Sequence, residues 1–208
     1  MIVTYVIIAA CVIMSFAAFN DFSKFEKWKF SAYHVVHAKE QYRLITHAFI
    51  HGSWAHLFIN MFVFWQFGRV VESNFAAMFG AKGTLYYIVL YLGGVLVASL
   101  PALKKHRDDY NYAAVGASGA VASVLFSYII MHPVNLLYLF FIIPIPAFLV
   151  GILYLWYENR MENSQDNIAH DAHYWGAIYG AVVTILFKPV LAMDFVNQIV
   201  NTVSRLFS

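Results

Sequence analysis

A serine lies at the tip of a turn of small residues, Gly116-Ala117-Ser118-Gly119, and an apolar segment that ends at Met131 follows it. Further along the chain, His173 begins another apolar segment, in which Gly176 and Gly180 recur at helical spacing. A serine that contacts a histidine gains a general base, which turns its hydroxyl into a nucleophile. Because ionisable groups are costly within a bilayer, such a pair in two membrane helices predicts a functional site.

The composition is that of an integral membrane protein. The 208 residues are 62% hydrophobic and 12% charged, with a mean hydropathy of +0.65, whereas soluble domains carry about a quarter charged residues. The formal net charge of +2 is too weak to predict a nucleic-acid partner. Cys11 is the single cysteine, which excludes an internal disulfide. We therefore expect membrane lipid as a partner.

Six apolar stretches are candidates for membrane spans, each of which needs about twenty residues. They predict an all-α, polytopic bundle of six transmembrane helices that forms a single domain over residues 1–208. The fourth stretch is the shortest and predicts a buried central helix. The predicted spans are Ile2–Phe19, about Trp54 to Val71, Thr84–Leu103, Val115–Met131, Val134–Tyr157 and Ala169–Val190.

The segments outside these spans differ in length and composition. Residues 20–53 form a long loop rich in aromatic and basic side chains, a mixture typical of the headgroup region, so we expect this loop to lie in the membrane interface. Residues 191–208 show apolar positions at helical spacing and predict an amphipathic tail on the membrane surface. The first apolar stretch lacks the basic flank of a signal peptide and is expected to be retained.

The polar residues fall at the heads of the even-numbered spans, which begin on one side of the membrane if every stretch crosses it. His56 and Asn60 begin the second span and share a helix face because they are four residues apart. Ser118 begins the fourth span and His173 the sixth. The amide of Ser118 at a helix N-terminus, with the side chains of His56 and Asn60, would offer hydrogen-bond donors to a developing oxyanion.

Small residues predict that the fourth and sixth spans pack closely. Gly116 and Gly119 lie on one and Gly176 and Gly180 on the other, and small-residue faces let membrane helices approach each other. The only acidic residue at these helix heads, Asp171, is two positions from His173 and would face elsewhere on a helix. The sequence therefore predicts a Ser–His dyad and no acidic third member.

Together these motifs resemble those of the rhomboid intramembrane serine proteases of the minimal six-span bacterial type. The resemblance covers the chain from about Arg43 to Phe187, and its specificity comes from the order, spacing and placement of the motifs together. The matching features are Arg43, His51-x4-His56-x3-Asn60, Gly68-Arg69-Val70-Val71-Glu72, Gly116-Ala117-Ser118-Gly119, and Ala172-His173-Tyr174-Trp175-Gly176 with Gly180.

The resemblance implies that Ser118 is the nucleophile, that His173 is the general base, and that His56, Asn60 and the Ser118 amide form the oxyanion hole. It implies an endopeptidase that cleaves transmembrane segments of other proteins near the extracytoplasmic face of a bacterial inner membrane, with no metal and no cofactor. The basic residues of the long loop favour the opposite orientation, since positive loops are usually cytoplasmic.

One position departs from the family pattern. Many bacterial members carry, four residues after the serine, a tyrosine that packs on the histidine, whereas this chain has Ala122. We expect Tyr174, Trp175 or Phe126 to hold the His173 ring in its place.

Other motifs predict support and access. Arg43 and Glu72 are expected to organise loops, and His47 and His51 to tie the long loop to backbone carbonyls. Pro144 and Pro146 fall inside the predicted fifth span, where prolines kink a helix. Such a kink would suit a lateral gate beside that span, although an ordinary kink explains the prolines equally well.

Two other classes of function remain open. One is a catalytically silent rhomboid-like protein that binds membrane helices. The other is a histidine-rich metal protein, because His47 and His51 have metal-ligand spacing and could join His56 and His170. These residues include neither carboxylate nor thiolate, and we expect His170 at the surface end of its helix.

Overall fold

The computed structural model describes residues 2–139, 142–162, 164, 166 and 168–206, and their regular structure is helical apart from one short β-hairpin. The chain is thus a helical membrane bundle. Its helices are α1 (Ile2–Phe19), α2 (Phe22–Trp28), α3 (Ala32–His37), α4 (Arg43–Thr46), α5 (Trp54–Phe79), α6 (Gly83–Lys105), α7 (Ser118–Met131), α8 (Ala147–Met161), α9 (His170–Phe187) and α10 (Val190–Leu206).

Helix α7 occupies the centre of the bundle, as predicted. Every one of its 14 residues is buried except Ser118 and Leu125, and it contacts α5, α6, α8, α9 and α10. At 1.5 Å per residue it is about 21 Å long, shorter than the hydrocarbon core of about 30 Å. Helix α7 alone is therefore too short to cross the hydrocarbon core.

Length and apolar composition alone identify fewer spans than six. In the described residues, Ile2–Phe19 and the stretch Trp54–Lys105, which holds both α5 and α6, are long and apolar enough to cross a membrane. The pair α9 and α10 would count as a third span, although the chain bends by 110° between them, next to Pro189. Helix α7 is apolar but too short to count.

The fifth predicted span is only partly helical, so the prediction of a kinked helix is wrong. Strands β1 (Leu136–Leu139) and β2 (Ile143–Pro146) form an antiparallel hairpin, in which Pro144 lies opposite Tyr138 and Pro146 opposite Leu136. Proline tolerates the edge of a two-stranded sheet but lacks the N–H that a helix interior needs. Helix α8 therefore begins only after Pro146. Phe140 and Phe141 lie outside the described residues.

The long loop contains three short α-helices and a 3-10 helix at His47–Phe49, and Arg43 anchors it. Buried Arg43 donates through Nη1 to the carbonyl oxygens of Glu26 (2.6 Å) and Lys29 (2.9 Å), and its Nε pairs with Glu40 at 2.5 Å. The loop also reaches the segment before α7, where Phe30 and Ala114 exchange backbone hydrogen bonds of 2.9 and 3.2 Å. Arg43 thus organises the loop, as its position predicted.

Glu72 supports a helix terminus. Its carboxylate accepts from the backbone N–H groups of Val3 (2.9 Å) and Thr4 (3.0 Å) and from the Thr4 hydroxyl (2.7 Å). These donors lie at the start of α1, where the free N–H groups favour a negative charge. Glu72 therefore fixes α1 against α5.

Candidate active site

Ser118 is the first residue of α7, and the turn before it requires glycine. Gly116 has φ +120°, a conformation that only glycine adopts without strain. A Cβ there would lie 2.7 Å from Cε1 and 2.8 Å from Nε2 of His56. The Gly116 N–H donates to the His47 carbonyl at 2.9 Å, which anchors the turn to the long loop. The turn thus brings Ser118 and the His56 ring to one place.

The orientation of His56 suits a hydrogen-bond donor. The backbone N–H of Gly52 donates to His56 Nδ1 at 3.5 Å, so in the neutral ring the proton resides on Nε2. Nε2 is the ring nitrogen that faces Gly116, two residues before Ser118.

Asn60 is buried one turn further along α5. Its Nδ2 donates to the His56 carbonyl oxygen at 3.0 Å, a bond within the same helix. This bond uses one of the two N–H groups of the amide. Asn60 therefore shares the face of His56, as predicted, and this hydrogen bond supports α5 and does not reach the Ser118 turn.

Helices α7 and α9 approach each other at backbone distance beside the two predicted catalytic residues. A Cβ on Gly176 would overlap the carbonyl oxygen of Gly119, and one on Gly180 would overlap the backbone of Ser123. The Ser123 hydroxyl donates across this contact to the Gly176 carbonyl at 2.9 Å. The predicted small-residue contact is confirmed.

This contact brings the heads of both helices together without completing a hydrogen bond. Gly119 adjoins Ser118, and a Cβ on Gly119 would lie 3.2 Å from the carbonyl oxygen of Ala172, which precedes His173. Among the described residues, no hydrogen bond joins Ser118 to His173. Catalytic hydrogen bonds are often long before substrate binds and tighten in the complex.

A carboxylate that the sequence analysis did not predict lies against His173. Glu158, near the end of α8, is 5% exposed, and its Oε1 lies 3.1 Å from His173 Nδ1. The expectation that His173 lacks an acidic neighbour is therefore wrong, because the acid comes from a different helix. The ring supports expected from sequence pack elsewhere: Tyr174 contacts Trp175, and Phe126 contacts Tyr154.

His170 is buried, which corrects its predicted surface position. It is 2% exposed, and its Nδ1 lies 2.5 Å from Glu158 Oε2 while its Nε2 lies 3.1 Å from Asp166 Oδ2. The hydrogen bond from His170, with one from Ser164, lowers the pKa of the exposed Asp166 carboxyl to about 2. The imidazole thus lies between two carboxylates.

His47 and His51 both bind side-chain hydroxyls, and His47 also makes the expected kind of hydrogen bond to the backbone, at Leu44 in the long loop. His47 Nε2 lies 3.0 Å from the Ser99 hydroxyl, and His51 Nδ1 lies 3.0 Å from the Ser15 hydroxyl. Burial lowers the pKa of His51 to about 3, with a smaller effect of the charge on His56, so His51 is neutral. Both histidines connect the long loop to neighbouring helices.

A small cavity is lined in part by Ser118. It has a volume of about 40 Å³, and its lining includes the polar residues His47, Ser99 and Ser118. A water molecule takes up about 30 Å³ and needs two to four polar partners. The cavity is therefore of a size and polarity to hold water beside Ser118.

The set of residues that could hold a metal differs from the predicted one. The donor atoms of Glu158, His170 and His173 lie within 4.8 Å of one another, and histidine with carboxylate is a zinc ligand set. The predicted set of His47, His51, His56 and His170 is not grouped in this way. Within the described residues, hydrogen bonds already pair the two histidines with Glu158.

Glu158 and Asp166 were missed because no motif marks them. Glu158 directly follows the predicted fifth span, and only a short polar connection separates α8 from α9. Short connections join antiparallel neighbours, so the end of one helix lies beside the start of the next. The short connection between α8 and α9 was therefore sufficient to predict that Glu158 lies near His170 and His173.

Comparison with known proteins assigns the family. The model of the Rhomboid domain matches residues 38–190, a range that contains every residue of the site described above. The chain belongs to the rhomboid family. This rhomboid is 34% identical over 155 residues to "RHOMBOID-like protein 12, mitochondrial" of Arabidopsis thaliana, an alignment that covers 67% of the chain and 44% of the relative.

A second relative extends the comparison. The rhomboid chain is 31% identical over 149 residues to "Rhomboid protein 1, mitochondrial" of Saccharomyces cerevisiae, covering 67% of the chain and 40% of that protein. The chain thus spans less than half the length of either relative. Family membership supports an integral membrane protein with an intramembrane protease type of function. The names of these relatives give no support to a bacterial inner membrane.

Proposed function

We propose that this rhomboid is an intramembrane serine endopeptidase that cleaves transmembrane segments of other membrane proteins. The observation that carries the proposal is the glycine contact between α7 and α9, which places the heads carrying Ser118 and His173 side by side, with His56 against the same turn. We also propose that residues 1–208 form one rhomboid-like domain, with the interfacial loop at 20–53 and the amphipathic tail at 191–208.

In this mechanism the Ser118 hydroxyl attacks the scissile carbonyl while His173 Nε2 takes its proton. The oxyanion accepts hydrogen bonds from the Ser118 N–H, His56 Nε2–H and the Asn60 amide. His173 then protonates the leaving amine, and the first product departs. Water attacks the acyl-enzyme with His173 as the base, which releases the second product and restores Ser118. The cavity beside His47 and Ser99 is the proposed local reservoir for this water.

Substrate must enter from the lipid, because a transmembrane helix cannot reach the site through water. Helix α8 suits the entrance: only Ala147, Gly151 and Glu158 of its 15 residues are buried, whereas Trp156 is 65% exposed. Exposed apolar side chains face lipid in a membrane protein. We propose that the substrate enters beside α8, between α8 and α5. The β-hairpin takes the position at which the proline kink of the gate was expected.

The membrane and its sidedness are also proposals. The contacts of α7 and α5 with the long loop support a site on the face that carries the loop. The family resemblance would make this face extracytoplasmic in a bacterial inner membrane, a compartment that the mitochondrial relatives do not support. Labelling of single cysteines introduced into residues 20–53 of intact cells or organelles would determine the side.

The first experiment is cleavage of a single-span substrate by purified protein, beside Ser118→Ala and His173→Ala variants and with a chelator. Loss of cleavage in both variants, by about 10³-fold or more, and no effect of the chelator are expected. Cleavage that survives Ser118→Ala would overturn the nucleophile. Loss of cleavage in the presence of the chelator would favour a metal protein. No cleavage and no fluorophosphonate labelling would favour the silent helix-binding rhomboid.

A further inference from the structure

We propose that Glu158 is a positioning residue for His173, and that His170 and Asp166 hold Glu158 in place. This inference rests on the proposed function of Ser118 and His173, and it replaces the expected dyad by a catalytic pair supported by an acidic relay. The geometry that points to it is the order Asp166, His170, Glu158, His173, in which each neighbouring pair is in hydrogen-bond contact.

Glu158 determines which nitrogen of His173 carries the proton. An ionised carboxylate only accepts hydrogen bonds, so the 3.1 Å contact with Oε1 places the proton of the neutral ring on Nδ1. Nε2 then keeps its lone pair for the Ser118 proton. A general base needs this tautomer, and an acid that fixes the ring also stabilises the imidazolium formed during attack.

His170 fixes Glu158 in turn. Its Nδ1 lies 2.5 Å from Oε2 of Glu158, and its Nε2 lies 3.1 Å from Oδ2 of Asp166. Asp166 is held by its own connection, where it accepts from the Ser164 hydroxyl (2.8 Å) and the Ile168 N–H (3.1 Å). The buried carboxylate therefore has little freedom to rotate away from His173.

The relay also accounts for Ala122, which offers no aromatic ring to the histidine. Ala122 is 3% exposed on α7. The His173 ring lies edge-on to His170, with centroids 6.2 Å apart and an interplanar angle of 74°. Glu158, by a hydrogen bond, and His170, by ring contact, thus orient the His173 ring as a stacked tyrosine would.

The test is Glu158→Gln, with Glu162→Gln as the matched control on the same end of α8. Glutamine keeps the shape but can present an N–H to His173 and favour the wrong tautomer. We expect kcat to fall on the order of 10²- to 10⁴-fold, with KM within about threefold. The Glu162→Gln variant removes an equal charge from an exposed position that does not contact His173, so it should keep wild-type kcat. Glu158→Asp, which retains the carboxylate, should recover part of the loss.

A wild-type kcat for Glu158→Gln, or equal losses for Glu158→Gln and Glu162→Gln, would overturn the positioning role. Nitrogen-15 NMR of histidine-labelled wild-type protein, assigned with His173→Ala, tests it without a destabilised variant. A proton on Nδ1 of His173 supports the relay, and a proton on Nε2 of the neutral ring overturns it. The NMR readout remains decisive if the protein cleaves nothing, so failure of the proposed function and failure of this inference are distinguishable.

Discussion

The contact between α7 and α9 and the attachment of α8 represent two different ways of packing in one molecule. In the first, glycines let backbones touch, and serine and threonine hydroxyls bond across the contact. In the second, most of the helix faces outward, and few of its side chains are buried. The first arrangement leaves almost no room for adjustment, whereas the second leaves a surface open to lipid.

Under the proposed function, this difference separates the two requirements of an intramembrane protease. Ser118 and His173 would need a fixed relative position, and they lie on the closely packed pair. A substrate helix would need a way in, and α8 offers the loosely packed side. Glu158 links the two regions, because it is carried by α8 and contacts α9. We therefore expect substitutions of the same chemical kind to differ sharply between these regions.

The largest difference is expected for added methyl groups. Gly176→Ala would place a Cβ against the Gly119 backbone, which cannot move as a side chain can, so we expect about 3 kcal/mol of destabilisation and loss of cleavage. The Cβ of Gly151→Ala on α8 meets side chains and no backbone, with Ile129 at 3.3 Å and Phe126 at 3.6 Å. Its effect should stay within about 1 kcal/mol, since alanine also favours helix.

Thermal unfolding in detergent, followed by circular dichroism, checks this pair of variants. The cleavage assay then shows whether activity follows the packing of α7 on α9. Similar melting temperatures for both variants would show that backbone contact does not distinguish the two regions.

The sequence was sufficient to predict the closely packed region, because spacing carries that information. Glycines at helical spacing mark the α7–α9 contact, and α1 extends from Ile2 to Phe19 as its apolar run predicted. The heads of α5 and α7 also meet as expected, through His56 and Gly116. The catalytic roles of Ser118, His173, His56 and Asn60 stay predictions.

The α8 region was harder to predict for two physical reasons. An apolar run does not distinguish a buried strand from a helix, so Pro144 and Pro146 were placed in a kinked helix when they lie in β2. Glu158 contacts residues on another helix, and periodicity within one segment contains no information on such contacts. The burial of His170 has the same cause, since two carboxylates from outside α9 surround it.

A second, smaller difference is expected for matched truncations of isoleucine. Ile129 on α7 is 3% exposed, whereas Ile152 on α8 is 59% exposed. Ile129→Ala should leave a cavity and cost about 2 kcal/mol. Ile152→Ala should change the free energy of unfolding by less than about 0.5 kcal/mol, because lipid fills the vacated space. Reversible unfolding in mixed micelles measures both, and a large cost at Ile152 would mean that α8 is packed by a partner or a second helix.

The smallest expected effect isolates hydrogen bonding from backbone packing within the α7–α9 contact. Ser123→Ala removes the hydroxyl that donates to the Gly176 carbonyl at 2.9 Å and to Gly119 at 3.1 Å, while the glycine contact itself remains. Interhelical hydrogen bonds in membranes contribute about 0.6 kcal/mol on average, so we expect a loss of that order, well below that of Gly176→Ala, and nearly wild-type cleavage. The same unfolding measurement applies, with Ser204→Ala on the exposed face of α10 as the control. If Ser123→Ala lowers the free energy of unfolding as much as Gly176→Ala does, the rigidity of this region comes from the hydroxyl and not from close backbone approach. The glycines would then serve only to make room for the serine.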